Sequence, residues 1–124
     1  MIDPRTPILV GCGQITDTTG KPSSERSNVA FCAEAASRAL TDTGAAIGAA
    51  ALGRKIDAVA VLEFFPDISP RFASPFGRCS NPPKAVANRL AAAPRQLLYT
   101  HSGGNMPQYL VNRFAEEVAN GETE

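Results

Sequence analysis

Apolar residues in this chain fall into short unbroken runs separated by stretches that repeat at helical spacing, the pattern of strands buried on both faces alternating with amphipathic helices. Pro7-Ile8-Leu9-Val10-Gly11 is the first such run, ended by glycine, and reads as a buried strand of the parallel type. A polar, Gly/Pro/Ser-containing stretch over residues 17–24 reads as a loop. After it Val29, Cys32, Ala36 and Leu40 recur at intervals of three and four, predicting a helix that stops at Gly44. The alanine- and glycine-rich residues 45–53 either extend that helix or form its exit. Ile56-Asp57-Ala58-Val59-Ala60-Val61-Leu62 is a second strand, and a βαβ unit of this length implies a right-handed crossover between parallel neighbours.

Periodicity then fails over residues 64–80, where three prolines and Phe64, Phe65, Phe72 and Phe76 accumulate; a connection this long is a candidate functional loop. Asn81, Pro82 and Pro83 open a short helix carrying Val86 and Leu90 on one face. Gln96-Leu97-Leu98-Tyr99-Thr100 is a third strand, and Leu110, Val111, Phe114 and Val118 mark a third helix closed by Gly121. The order is β-α-β-α-β-α, an α/β class with a mostly parallel sheet, in one domain spanning residues 1–124. The pattern stops where its next strand would come, so the expected sheet is incomplete alone and exposes an edge for a protein partner or for self-association.

The junction from the third strand to the third helix, Tyr99-Thr100-His101-Ser102-Gly103-Gly104-Asn105-Met106-Pro107-Gln108, is the richest candidate site. A sharp strand-to-helix elbow aims backbone N–H groups at a ligand. Paired glycines allow positive φ and close backbone approach. Asn105 is placed to cap the helix, with Pro107 in its first turn and Gln108 three residues on, as in a capping box. Gly103, Gly104 and Asn105 are therefore candidate substrate-binding residues. His101, the only histidine, is the candidate catalytic acid or base. No Cys or Ser stands at positions 103–105 to act as a nucleophile.

Twelve basic against twelve acidic residues leave a formal net charge of zero, with no Lys/Arg cluster to attract nucleic acid. No apolar stretch reaches the roughly 20 residues a membrane span needs, and the first residues are not a secretory signal, which points to the cytoplasm. Cys12, Cys32 and Cys79 are odd in number, lack metal-ligand spacing and read as reduced thiols, with no metal site expected. Cys32 falls on the apolar face of the first helix and reads as core. Cys79, beside Arg78, is the one candidate reactive thiol. Gly11-Cys12-Gly13-Gln14-Ile15-Thr16 lacks the third glycine of a dinucleotide fingerprint and is followed by a loop, so the turn reading prevails. Glu116, Glu117, Glu122 and Glu124 read as a solvated face.

Several residues together carry a resemblance to a known family. These are Asp3-Pro4-Arg5-Thr6-Pro7-Ile8-Leu9-Val10-Gly11 with Gly13-Gln14, Asn81-Pro82-Pro83, Tyr99-Thr100, Gly103-Gly104-Asn105, Pro107-Gln108, Val111-Asn112-Arg113 and Gly121-Glu122. They resemble the amino-terminal part of bacterial thiolase-superfamily proteins of the acetyl-CoA acetyltransferase or thiolase-like kind. The resemblance implies a portion of a five-layer α-β-α-β-α sandwich, about the first half of its first α/β half. It implies acyl transfer between acyl-CoA thioesters, with coenzyme A as ligand and no tightly held cofactor. It also implies a nucleophilic Cys at about Gly104, where this chain has none, and later Asn-His, Gly-His-Pro and second-Cys motifs that find no match here. Two functions follow as expectations. One is a segment or subunit of an acyl-CoA acyltransferase that works with the rest of the fold. The other is a non-catalytic CoA-binding, acyl-binding or scaffolding protein.

Overall fold

In a computed structural model the described residues are 1–20 and 27–123; the part of the expected 17–24 loop from residue 21 on, and Glu124, lie outside them. Helix α1 spans Asn28–Asp42, begins where the Ser27 hydroxyl accepts from the Ala30 N–H at 3.3 Å, and is followed by Gly44 at a φ of 60°. A short helix α2, Ala49–Gly53, forms in the alanine-rich stretch. Strand β1, Ala58–Leu62, and strand β2, Gln96–Thr100, then pair in parallel with Ala58 opposite Gln96 and Leu62 opposite Thr100. Their starts are pinned together: the Gln96 N–H donates to the Asp57 carbonyl at 3.1 Å, and the Arg95 guanidinium forks onto the Asp57 carboxylate.

Between the strands, residues 64–80 are not featureless. Helix α3, Phe65–Ile68, and a 3₁₀ turn, Pro70–Phe72, occupy part of that stretch. Helix α4, Pro82–Arg89, follows, with the Asn81 side chain accepting from the Lys84 N–H at 3.1 Å and both prolines fully buried in its first turn. Helix α5, Met106–Asn120, closes in a Schellman arrangement: Gly121 takes a φ of 74°, the Glu122 N–H reaches the Glu117 carbonyl at 2.8 Å, and the Gly121 N–H reaches Val118 at 3.0 Å.

The core lies where α1 and α4 meet β1. Val29, Ala33, Val61 and Val86 form it, with Cys32, Val59, Phe64, Cys79, Ala85 and Leu90 packed around them. Cys32 is thus the core thiol its helical position predicts, and burial pushes its pKa up.

The chain after α4 must turn sharply, and it does so at Ala91 with a φ of 54°, the one positive-φ residue other than glycine among those described. The Ala92 N–H then bonds back to the Ala87 carbonyl at 2.9 Å. A Cβ in the left-handed region costs about 1 kcal/mol. Ala91→Gly is therefore expected to stabilise the chain by up to about 1 kcal/mol, read as a raised denaturation midpoint at unchanged slope.

Residues 7–11 depart from the predicted pattern. Among the described residues the sheet has two strands, and the expected first strand is not one of them. Ile8, Leu9 and Val10 are 76, 88 and 59% exposed. The leading β of the β-α-β-α-β-α order is therefore absent. What replaces it is a strap: Gly11 and Gly13 lie so close to α1 that an added Cβ would stand 2.4 Å from the Ala39 carbonyl and 2.0 Å from the Ala35 carbonyl. The Cys12 N–H donates to the Asp42 carboxylate at 2.9 Å and Arg38 donates to the Gln14 carbonyl at 3.0 Å. These glycines serve helix contact rather than a turn or a phosphate loop. Gly13→Val is expected to lift the strap off α1, seen as faster exchange of the Cys12 amide with the α1 amides unchanged.

Candidate functional site

β2 ends at Thr100 and α5 begins at Met106, so His101, Ser102, Gly103, Gly104 and Asn105 form the elbow between them. β1 holds its near side in place. The Glu63 N–H donates to the Thr100 carbonyl at 2.9 Å, and the Glu63 carboxylate accepts from the Ser102 N–H at 3.3 Å. The structure thus brings the four sequence-selected residues, His101, Gly103, Gly104 and Asn105, onto one exposed turn.

Its local geometry differs from the expected elbow in two ways. Neither Gly103 nor Gly104 takes a positive φ; the turn closes with the Met106 N–H on the Gly103 carbonyl at 3.0 Å. Asn105 has helical backbone angles, φ −88° and ψ −14°, and its side chain makes no capping bond. A capping side chain needs extended backbone to reach forward to the next turn, which Asn105 lacks. Gln108, expected to complete a capping box, instead donates to Asn112 at 2.8 Å along the helix surface. Gly104 faces open space: a Cβ added there would meet nothing within 4 Å. The elbow presents open backbone and an exposed imidazole, with no Cys or Ser at positions 103–105.

A second constellation lies at the far side of β2, and residue spacing did not reveal it. The Tyr99 hydroxyl accepts from the Phe64 N–H at 2.9 Å and donates to the Asp67 carboxylate, which also takes the Arg78 guanidinium at 2.9 Å. Burial, followed by the Asp67 bond, pushes the Tyr99 phenol up to about 12; the Tyr99 and Arg78 bonds hold the Asp67 carboxyl below its ordinary range. Arg78 is thereby committed to Asp67. Cys79 instead packs against the core. Cys12 is exposed, its thiol 3.6 Å from the Asp42 carboxylate.

Glu117 likewise departs from the solvated-face reading. Its carboxylate takes Arg113 at 2.8 Å and meets Gln96 and Thr123, and the Arg113 bond chiefly lowers its pKa. This network ties α5 to the start of β2.

An apolar groove of about 1080 Å³ lies between α1, β1 and the α3 region, lined by Phe31, Cys32, Phe64, Phe65, Phe72 and all of β1 among others. Phe65 and Phe72 stack edge to face at 6.0 Å on its rim. None of His101, Gly103, Gly104 or Asn105 lines this groove. The aromatic loop and the elbow are therefore separate features. Among the described residues, no three His, Cys, Asp or Glu side chains converge as a metal-binding group, and no helix is long and apolar enough to cross a membrane.

A parallel β1–β2 pair with α1 and α4 packed on it and α5 running from an open elbow is a portion of a thiolase-like α/β fold. A crystal structure similar to it is that of a monomeric SCP2-thiolase like protein type 1 from Mycobacterium smegmatis, 36% identical, matching 100% of this chain at a TM-score of 0.71. The chain spans 23% of the length of that protein. No protein-family model and no curated protein matches the chain.

Proposed function

We propose that the chain is a segment or subunit of a thiolase-like acyl-CoA acyltransferase, active with the rest of the layered fold rather than alone. The observation that carries this reading is the 36% identity extending over the whole chain to an SCP2-thiolase-like protein. On this reading an acyl-CoA thioester is the substrate, no cofactor is held tightly, and the chain works in the cytoplasm. The exposed elbow meets the thioester end: backbone at Gly103, Gly104 and Asn105 contacts the ligand, and the His101 imidazole exchanges a proton beside it. Acyl transfer through a covalent intermediate needs a thiolate to take the acyl group and donors to stabilise the tetrahedral oxyanion. The resemblance puts that thiolate at about Gly104, where this chain has none, so on this reading the nucleophile comes from outside this chain.

Gly104 is also the observation that favours a second reading, a non-catalytic protein that binds CoA or an acyl group on the same fold. Acetyl-CoA titrated into the chain by calorimetry, beside a thioester-cleavage assay on the chain as purified with any companion polypeptide, separates the two. Turnover that His101→Ala lowers at least about tenfold supports the acyltransferase and the proton role. Binding without turnover supports the second reading. Neither binding nor turnover removes both.

A further inference from the structure

Little within the elbow itself fixes where it lies. Asn105 makes no side-chain cap, and Gln108 is turned along α5 onto Asn112. The Met106 N–H on the Gly103 carbonyl and the Tyr109 N–H on the Asn105 carbonyl are bonds inside one short segment. Both would survive a swing of the whole turn. Among the described residues, the hydrogen bond that ties residues 101–105 to the neighbouring strand end runs from the Ser102 N–H to the Glu63 carboxylate at 3.3 Å.

The register shows what that bond replaces. Leu62 stands opposite Thr100, which puts Glu63 opposite His101, one step past both strands. In a parallel ladder, alternate residues of one strand donate to the residue before their partner and accept from the residue after it. Asp57 and Glu63 are in phase on β1's side: the Gln96 N–H donates to the Asp57 carbonyl, and the Glu63 N–H donates to the Thr100 carbonyl at 2.9 Å. The next rung would run from the Ser102 N–H to the Glu63 carbonyl. It is made to the Glu63 carboxylate instead, so a side chain stands in for its own main chain and the following residues leave the sheet. Glu63 is also half-buried without a cation on it among the described residues, whereas Asp57, Asp67 and Glu117 each take an arginine. Its carboxylate is committed to the elbow.

We propose that Glu63 is the positioning residue of the elbow. By taking the Ser102 N–H on its side chain it ends the ladder at that point, and so sets where the His101 imidazole and the Gly103, Gly104 and Asn105 backbone stand. It touches no ligand; it acts through Ser102, whose N–H it removes from the donors a ligand can use. A side-chain acceptor is required for this, and charge is not: a neutral amide oxygen at the same position can receive the same N–H. The role toward a ligand rests on the reading that the elbow meets an acyl-CoA thioester, while the hold on Ser102 rests on geometry alone.

Two variants, Glu63→Ala and Glu63→Gln, test it in the chain as purified with any companion polypeptide, by amide exchange read residue by residue and by calorimetric titration of acetyl-CoA. Glu63→Ala is expected to speed exchange of the Ser102 amide about tenfold or more with Val59 and Val61 unchanged, and to weaken acetyl-CoA about tenfold. Glu63→Gln keeps the acceptor and is expected to return both to within about threefold of the parent. A Ser102 amide that stays slow in Glu63→Ala overturns the proposal, because the main-chain carbonyl then suffices. Glu63→Gln behaving like Glu63→Ala overturns it too, and so does Glu63→Ala speeding Val59 and Val61 along with Ser102, which would make Glu63 a support of the whole sheet. If Glu63→Ala releases Ser102 while acetyl-CoA binds as tightly as before, the positioning role is lost and the CoA reading stands. A parent that does not bind acetyl-CoA removes the CoA reading and the role toward that ligand, and the Ser102 amide then decides the hold on the elbow by itself.

Discussion

Val86→Asp is expected to leave no cooperatively folded chain. Val86 is 4% exposed on the inner face of α4, against Val29 and Ala33 of α1 and Val61 of β1. The buried residues described include no polar or charged side chain. A carboxylate at position 86 would find no donor and would have to ionise in apolar surroundings or fold protonated, at a cost of about 3–5 kcal/mol. Total stability of a domain is about 5–15 kcal/mol, and one with so few fully buried side chains sits toward the low end. The measurement is the helical circular dichroism signal on heating, which should lose its sigmoidal transition. Val86→Ala is the companion: it removes two methyl groups, costs roughly 2 kcal/mol and should keep a lower but cooperative transition. A variant Val86→Asp that melts like the parent would mean that α1, α4 and β1 do not share this core.

Where local chemistry decides an element, it was legible in the sequence. β2 falls on the predicted run, and Gly44 and Gly121 end their helices with the positive φ that glycine accepts most readily. β1 is shorter than predicted because Ile56 belongs to a turn, its N–H on the Gly53 carbonyl at 3.2 Å. Apolar pattern carries no record of such pairings. The same limit explains the first run. Ile8, Leu9 and Val10 fit a buried strand in composition, yet burial needs a neighbour, and Gly11 and Gly13 instead fit the strap to α1. Where two residues can perform one backbone task, the sequence misleads: Gly103 and Gly104 form an ordinary turn, while Ala91 takes the left-handed conformation.

The candidate site divides the same way. His101, Gly103, Gly104 and Asn105 are neighbours in sequence, so the strand-to-helix junction alone placed them together on an exposed turn. Asp67 and Tyr99 lie 32 positions apart and meet only because the parallel register sets the end of β2 beside the segment leaving β1. Glu117 reads as solvated because it stands among the charged residues Glu116, Glu122 and Glu124 along the chain. Its partner Gln96 comes from β2, 21 positions away, where helical periodicity has no reach. In the aromatic loop, polar bonds between Asp67 and Arg78 hold the segment while Phe65, Phe72 and Phe76 remain exposed, an anchor that the run of aromatic residues does not announce.

Asp67→Ala is expected to cost about 2–3 kcal/mol. The Asp67 side chain is 11% exposed and receives two donors, the Tyr99 hydroxyl and the Arg78 guanidinium. Arg78 is 69% exposed, so its ion pair contributes under about 1 kcal/mol. The larger share comes from the charge-assisted bond with Tyr99, whose hydroxyl also receives the Phe64 N–H and whose ring packs edge to face on Phe64 at 5.9 Å. Tyr99→Phe deletes the hydroxyl but keeps the ring, and should cost about 1–2 kcal/mol.

The pH dependence follows from the same bonds. The folded pKa of Tyr99 stands above its unfolded value, so its contribution is complete below about pH 10 and is lost as pH rises toward about 12. The folded pKa of Asp67 stands below its unfolded value, so its contribution is present above about pH 4 and is lost as pH falls through the folded value. Urea unfolding across pH should therefore show a chain that weakens at both extremes. Tyr99→Phe should flatten the alkaline limb, and Asp67→Ala both limbs, because the phenol loses its acceptor along with the carboxylate. An alkaline limb that survives Tyr99→Phe would locate the alkaline sensitivity in another group and separate Tyr99 from the anchoring of the loop.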